Sequence, residues 1–324
     1  MTIDVIGSTL IDVIFNLPKK YLEKGDEPTI ELPFGSKIST QDYFIGIGGS
    51  GANVAVGIQK LGIKTRLHTP LGKDVLTKYL LGVLENDKGL EVEPYLIDAE
   101  TPISAILKMG GERTIVTGHP ISRKDFNPTR NLGNVIHLGP VSHQADELYV
   151  DLMEHLKEGN KFFSMNPSLV VIKEKPKVFM DLLKNVDLIV LNEEEGGELT
   201  GEEDVLKIGE KIRKLGPTFV CLTCGPDGAY LFTPYGKWHS KATTPQDEVI
   251  DATGAGDALC SGFIAGFLSS CLTEPNRAKC LQKALKWGMA NSGSAVASVG
   301  AQTGLLSKNI INSAALEAKL TVPR

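Results

Sequence analysis

The chain has 324 residues, 42% of them hydrophobic and 23% charged. That balance suits a globular protein with a large core, and the length holds two average domains or one large α/β domain. Its 34 basic and 39 acidic residues leave a net charge of −5, with no Lys/Arg block to mark a nucleic-acid or anionic-membrane partner. No apolar run reaches the roughly 18 residues of a membrane span. The N-terminus lacks a signal-peptide pattern, and five sparse cysteines suit a reducing cytosol, so the expected location is cytoplasmic.

Thr2 to Gly7 reads as a short apolar strand. Asp12 follows within Leu10-Ile11-Asp12-Val13-Ile14, either as a solvated strand residue or as a polar group aimed into a cleft, because strand faces alternate. Residues 16 to 43 are rich in proline, glycine and charge and do not continue a parallel sheet. Ile45 to Asn53 is glycine-rich, and a helix follows through Val54, Ile58 and Leu61. Thr65 to Leu71 is a strand and Asp74 to about Glu85 a helix. Ile103 to Lys108, Gly110-Gly111 and Arg113 to Thr117 form a β-hairpin pattern. Two such β-rich insertions, at about 13–46 and 99–118, can pair into a small sheet beside the main body and act as a lid.

Further strands are expected at 134–138, 161–165, 187–191 and 218–224, with helices at 147–157, 178–185 and 204–215. In the last of these, Val205, Ile208, Ile212 and Leu215 share one stripe. A hairpin at 228–239 and two helices, 255–271 and 277–297, complete the body. This alternation predicts a doubly wound, mostly parallel sheet flanked by helices, one α/β body over 1–324, with ligands beyond the C-terminal strand ends. Cys221 and Cys224 lie on one strand, where residues three apart face opposite sides. That argues against a redox or metal pair. The histidines, His119, His137 and His143 among them, lack metal-ligand spacing.

The densest motif is Asp251-Ala252-Thr253-Gly254-Ala255-Gly256-Asp257, running into an apolar helix. Small residues leave amides uncovered at a helix start, where four N–H groups lack internal partners and the dipole is positive. This is an anion cradle, and Asp257 beside it can take a proton from an attacking hydroxyl. No P-loop is present. Gly46, Gly48 and Gly51 form a G-x-G-x-x-G with Asp74 downstream, so a dinucleotide-binding oxidoreductase is the rival reading.

The 251–257 segment resembles the C-terminal signature of the ribokinase (PfkB) family of carbohydrate kinases. Gly48-Gly49 with Asn53 resembles the family's N-terminal signature, and Asn192-x-x-Glu195 its N-x-x-E element. Thr223-x-Gly225-x-x-Gly228 resembles its nucleotide loop, and Asn291 its adenine-side segment. Gly72-x-Asp74 and Gly111-Glu112-Arg113-Thr114 also fit family patterns.

The resemblance implies an ATP-dependent kinase acting on a sugar hydroxyl. Asp257 would be the base and the amides of Gly254, Ala255 and Gly256 the anion hole. Asp12, Gly49, Asn53 and Asn166 would bind the sugar. Asn192 and Glu195 would hold Mg²⁺ through water, while Thr223, Gly225, Gly228 and Asn291 would bind the nucleotide. Dependence on a monovalent cation stays open, and a homodimer through the lid is expected. Ser50 stands where ribokinases and several sugar-phosphate kinases of the family carry Lys, which argues against ribose or a phosphorylated sugar. Asn166-Pro167-Ser168 lacks the acidic residue and Arg found in many fructose and sugar-acid kinases. Both departures favour a small neutral sugar, with a nucleoside second. Lys37, Lys108 and Arg113 are lid cations whose places a sequence does not define.

Overall fold

A computed structural model describes residues 1–23, 29–40, 42–86, 89–109, 112–118, 121, 126–140, 146–271 and 274–323. The expected Gly110-Gly111 turn, His119 and His143 lie outside them.

The strands are β1 (Thr2–Ile6), β2 (Leu10–Asn16), β3 (Leu22–Glu23), β4 (Thr29–Ile30), β5 (Tyr43–Gly48), β6 (Lys64–Gly72), β7 (Leu90–Ile97), β8 (Ile103–Met109) and β9 (Glu112–Gly118). They continue as β10 (Val135–Leu138), β11 (Phe162–Met165), β12 (Leu188–Asn192), β13 (Phe219–Thr223), β14 (Ala229–Thr233), β15 (Gly236–Ser240) and β16 (Leu320–Thr321). The helices are α1 (Ser50–Lys60), α2 (Val75–Leu84), α3 (Asp146–Leu156), α4 (Leu169–Glu174), α5 (Lys177–Leu182), α6 (Glu193–Thr200), α7 (Val205–Leu215), α8 (Ala255–Cys271), α9 (Arg277–Val296) and α10 (Ile311–Ala314).

Among the described residues, ten strands form the main sheet in the order β16-β15-β14-β13-β12-β11-β10-β1-β6-β7. From β13 to β7 it is parallel; β14, β15 and β16 extend it antiparallel. Central parallel strands bury both faces, and their alternate residues enter different cores. Leu188 and Val190 of β12 join Ile3, Val54, Phe263 and Leu285 on the side of α1, α8 and α9. Ile189 and Leu191 join Tyr149, Phe179, Leu199 and Ile212 on the side of α3, α5, α6 and α7. α8 is apolar around most of its circumference and is correspondingly buried, whereas α7 buries only its Ile208–Ile212 stripe. Side-chain caps start α2, α7 and α9 at Asp74, Asp204 and Asn276.

β1 lies where the strand order turns, between β10 and β6. Only Gly7, Ser8 and Thr9 separate it from β2, the start of a second sheet of order β5-β2-β8-β9. This sheet begins earlier than the sequence suggests, at Leu10, so Asp12 belongs to it. Among the described residues, the irregular stretch after Asn16 adds only the two-residue β3–β4 ladder. Asp12 pairs with Gly46 on one side and Ser104 on the other, and Lys108 pairs with Arg113. Asp12, Ile14, Ser104, Ile106 and Lys108 share a buried face, while Tyr43, Ile45, Ile103 and Val116 are exposed on the other.

Candidate active site

α8 begins at the C-terminal end of the main sheet, and its first turn borders two spaces. On one side Ala255 and Gly256 help line a cavity of about 300 Å³. On the other, Asp257 meets α1: Ser50 Oγ donates to Oδ1 at 2.5 Å and Asn53 Nδ2 to Oδ2 at 2.9 Å. Gln302 Nε2 in turn donates to Asn53 Oδ1 at 3.0 Å, which fixes the amide's orientation. Burial pushes the Asp257 carboxyl above its ordinary range, and the bonds from Ser50 and Asn53 pull against that rise.

The turn before α8 is tightly stapled. Gly254 adopts φ +75°, which favours glycine, and a Cβ there would sit 2.6 Å from the Ala301 Cβ. Asp251 holds the turn to the loop at Gly300: its Oδ1 accepts from the Thr253 amide and hydroxyl, its Oδ2 from the Gly300 amide at 3.0 Å. The first helical bond runs from the Ala258 amide to the Gly254 carbonyl at 2.8 Å. The Gly256 and Asp257 amides therefore lie ahead of the helix's own bonding. The Ala255 amide is already turned to the Ala252 carbonyl at 3.3 Å, so the amides left ahead of the helix's own bonding start at Gly256.

Asp12 is 7% exposed, and burial together with the Asp251 and Asp257 charges raises its carboxyl to about 6. Gly48 makes room for it, since a Cβ there would lie 2.0 Å from Asp12 Oδ2. Gly49 precedes α1 at φ +92°, and a Cβ there would lie 2.5 Å from the Ser8 carbonyl oxygen.

The dinucleotide reading of Gly46, Gly48 and Gly51 fails on position. Gly46 and Gly48 belong to β5 in the second sheet rather than to a turn of the main parallel sheet, and Gly51 lets α1 approach Gly7. Asp74, the acidic residue that motif would need, caps α2 and accepts from Thr101.

Thr223, Gly225 and Gly228 line the cavity, together with Gln246 and Ser292, which carry no local signal of that role. Asn291 does not. It is fully buried, donating to the Ala258 carbonyl and Ser261 Oγ and accepting from the Leu306 amide. It joins α8 to α9, and its neighbours Met289, Ser292 and Gly293 face the cavity instead. Asn192 and Glu195 form a capping box at the start of α6: the Glu195 amide donates to Asn192 Oδ1 at 2.7 Å and the Asn192 amide to Glu195 Oε2 at 2.9 Å. Burial raises the Glu195 carboxyl, with the nearby Glu194 and Asp257 charges adding to that rise against the Asn192 bond. Asn166 donates to the Val190 carbonyl at 2.8 Å at the end of β11. Burial pushes the Cys221 and Cys224 thiols up to about 12, so neither is a ready thiolate.

The pfkB family carbohydrate kinase model matches residues 2–308. An ATP-dependent 6-phosphofructokinase of Thermoanaerobacterium thermosaccharolyticum is 27% identical over 292 residues, covering 84% of this chain and 85% of its own. A nucleoside kinase of Methanocaldococcus jannaschii is 25% identical over 309 residues, covering 94% and 93%. The ribokinase of Giardia lamblia superposes with a TM-score of 0.80 at 17% identity over 98% of this chain and 99% of its own, which establishes the fold. With a family model spanning nearly its whole length, this chain belongs to the pfkB family of carbohydrate kinases.

Proposed function

We propose that the protein transfers the γ-phosphoryl group of ATP to a hydroxyl of a sugar, with Asp257 as general base. The observation that carries this is the first turn of α8. One turn of helix walls the cavity with Ala255 and Gly256 and presents Asp257 to the Asp12–Asn53 side. Nucleotide on one side and acceptor on the other would meet across it. The Ser50 hydroxyl donating to Asp257 Oδ1 is an alcohol on a carboxylate, the contact an acceptor hydroxyl needs. As the phosphoryl group moves, the Gly256 and Asp257 amides receive its charge. Asp12 and Asn53 orient the acceptor. The β5-β2-β8-β9 sheet serves as the lid that excludes water as a competing acceptor.

The residues present fit a hydrated Mg²⁺. The capping box uses Glu195 Oε2 and leaves Oε1, and no set of three His, Cys, Asp or Glu among the described residues forms a protein cage. An ion held by phosphates and water needs no such cage. Glu195 and Asn192 would hold it from this side, and when bound it neutralises phosphate charge. The exposed apolar face of the lid, with Tyr43, Ile45, Ile103 and Val116, favours a homodimer through that sheet. Among the described residues no helix is long and apolar enough to cross a membrane.

A nucleoside acceptor is the second reading. Phe44 favours it, because its ring packs over Gly46 beside Asp12 and against Gly300, offering an aromatic face for a base. Calorimetry tests the nucleotide half: Mg·ATP or Mg·ADP binds and NAD(H) and NADP(H) stay silent. Nicotinamide binding without ATP binding would reject the kinase reading.

A further inference from the structure

The lid carries two cations that the phosphoryl-transfer geometry does not use. Lys108 on β8 is only 8% exposed. Arg113 on β9 is its direct cross-strand partner, so both side chains leave the sheet on one face. That face is the buried one, shared with Asp12, Ser104 and Ile106. Lys37, like Lys19 and Lys20, is exposed outside this sheet.

Neither the Lys108 ammonium nor the Arg113 guanidinium makes a hydrogen bond or ion pair among the described residues, and Arg113 Nε is buried with no partner. Like charges directly opposite each other destabilise a sheet, and a buried charge without a partner is costly. The carboxylate whose charge Lys108 senses is Asp251. It cannot settle the account alone, because both its oxygens already accept from Thr253 and Gly300. Asp251 is also near enough to Asp12 to help raise its carboxyl, so Lys108 reaches toward the acceptor end of the cleft. Ser104, the register partner of Asp12, lies four residues from Lys108 along β8, roughly 13 Å at strand spacing. Two long arms shorten that span to the reach of a sugar with an anionic group at its far end.

We propose that Lys108 and Arg113 form an anion subsite of the acceptor pocket, so that the acceptor is a sugar carrying a phosphate ester or a carboxylate remote from the reacting hydroxyl. Arg offers a fork that matches either anion, and Lys adds a point charge. The inference rests on the sugar-kinase reading and specifies its substrate class.

The test is ATP-dependent ADP release by the full chain on D-fructose and D-ribose, their 6- and 5-phosphates, and D-gluconate. Wild type, Lys108→Met and Arg113→Met are compared, with thermal shifts recorded on the same ligands. The wild type favours an anionic acceptor over its neutral parent in kcat/KM by about 100-fold, and each substitution cuts that ratio about 10–100-fold, the worth of a hydrogen bond to a charged group. The phosphate and gluconate arms separate the two anions. The same anion raises the wild-type Tm, and each substitution abolishes that rise. A wild type that prefers neutral sugars overturns the subsite, as does an unchanged ratio or a thermal shift that survives both substitutions. Failure of the kinase reading itself is seen separately, as the absence of ADP release and of any ATP-induced thermal shift.

Discussion

Replacing Asp12 by Asn tests the electrostatics of the acceptor pocket without any assumption about the acceptor. Burial and the charges of Asp251 and Asp257 raise the Asp12 carboxyl from its ordinary 3.8 to about 6. A carboxylic acid whose folded value lies above its unfolded value binds more protons folded than unfolded, so its burden on stability is absent below about 4. The burden grows as pH rises between the two values and is complete above about 6. At about 1.4 kcal/mol per pH unit the full burden is about 3 kcal/mol. Unfolding entropy of about 2.1 cal/mol/K per residue over a chain of this length turns that into a Tm difference of about 4 °C. Asp12→Asn keeps the shape and removes the charge. In thermal melts the variant should gain about 4 °C over wild type at pH 7.5 and nothing at pH 4, less whatever the unsatisfied amide costs. A difference that does not widen between the two pH values would refute the assigned cluster of carboxylates.

Three further outcomes follow from the same geometry. Gly48→Ala drives a Cβ to 2.0 Å from Asp12 Oδ2 and should raise acceptor KM at least tenfold, with the calorimetric Kd for ATP unchanged. Ser50→Ala removes a donor that holds the Asp257 carboxyl down, so the acid limb of the kcat–pH profile should move to higher pH. Asn291→Leu strands the Leu306 amide in the α8–α9 contact, leaves the Ala258 carbonyl only Ser261 Oγ as a side-chain donor, and should cost about 1–3 kcal/mol in denaturant melts; ATP affinity per folded molecule should hold, because the side chain does not line the cavity.

The layers of the fold were legible because parallel strands buried on both faces read as short apolar runs, as at Leu188 to Leu191, with helical stripes between them. The α8 start was legible because small residues before an apolar helix have few other uses. Local patterns are harder to read where one motif can serve two ends. Asn192 and Glu195 have the spacing of a cap and are a cap, whatever else they do. Asn291 sits among cavity-lining neighbours, yet its own side of α9 faces α8, and helix phase near a glycine-rich interface is hard to read from one chain. The long-range partners carried no local signal. Nothing near Gln302 announces that it holds Asn53, and the pairing of Lys108 with Arg113 depends on a hairpin register. Gly46 and Gly48 matched a dinucleotide pattern because close backbone approach selects glycine in any fold, here beneath Phe44 and beside Asp12.

The central claim is that Asp257 takes the proton from the acceptor hydroxyl, and Asp257→Asn measures it most directly. Asn keeps the volume and one acceptor toward Ser50 or Asn53 but loses the basic oxygen. Steady-state ADP release should fall in kcat by about 10²–10⁴-fold, the usual contribution of a positioned base, while the calorimetric Kd for Mg·ATP stays within about threefold of wild type. A variant that turns over at near the wild-type rate would contradict the account, and the base would have to be sought elsewhere in the cleft.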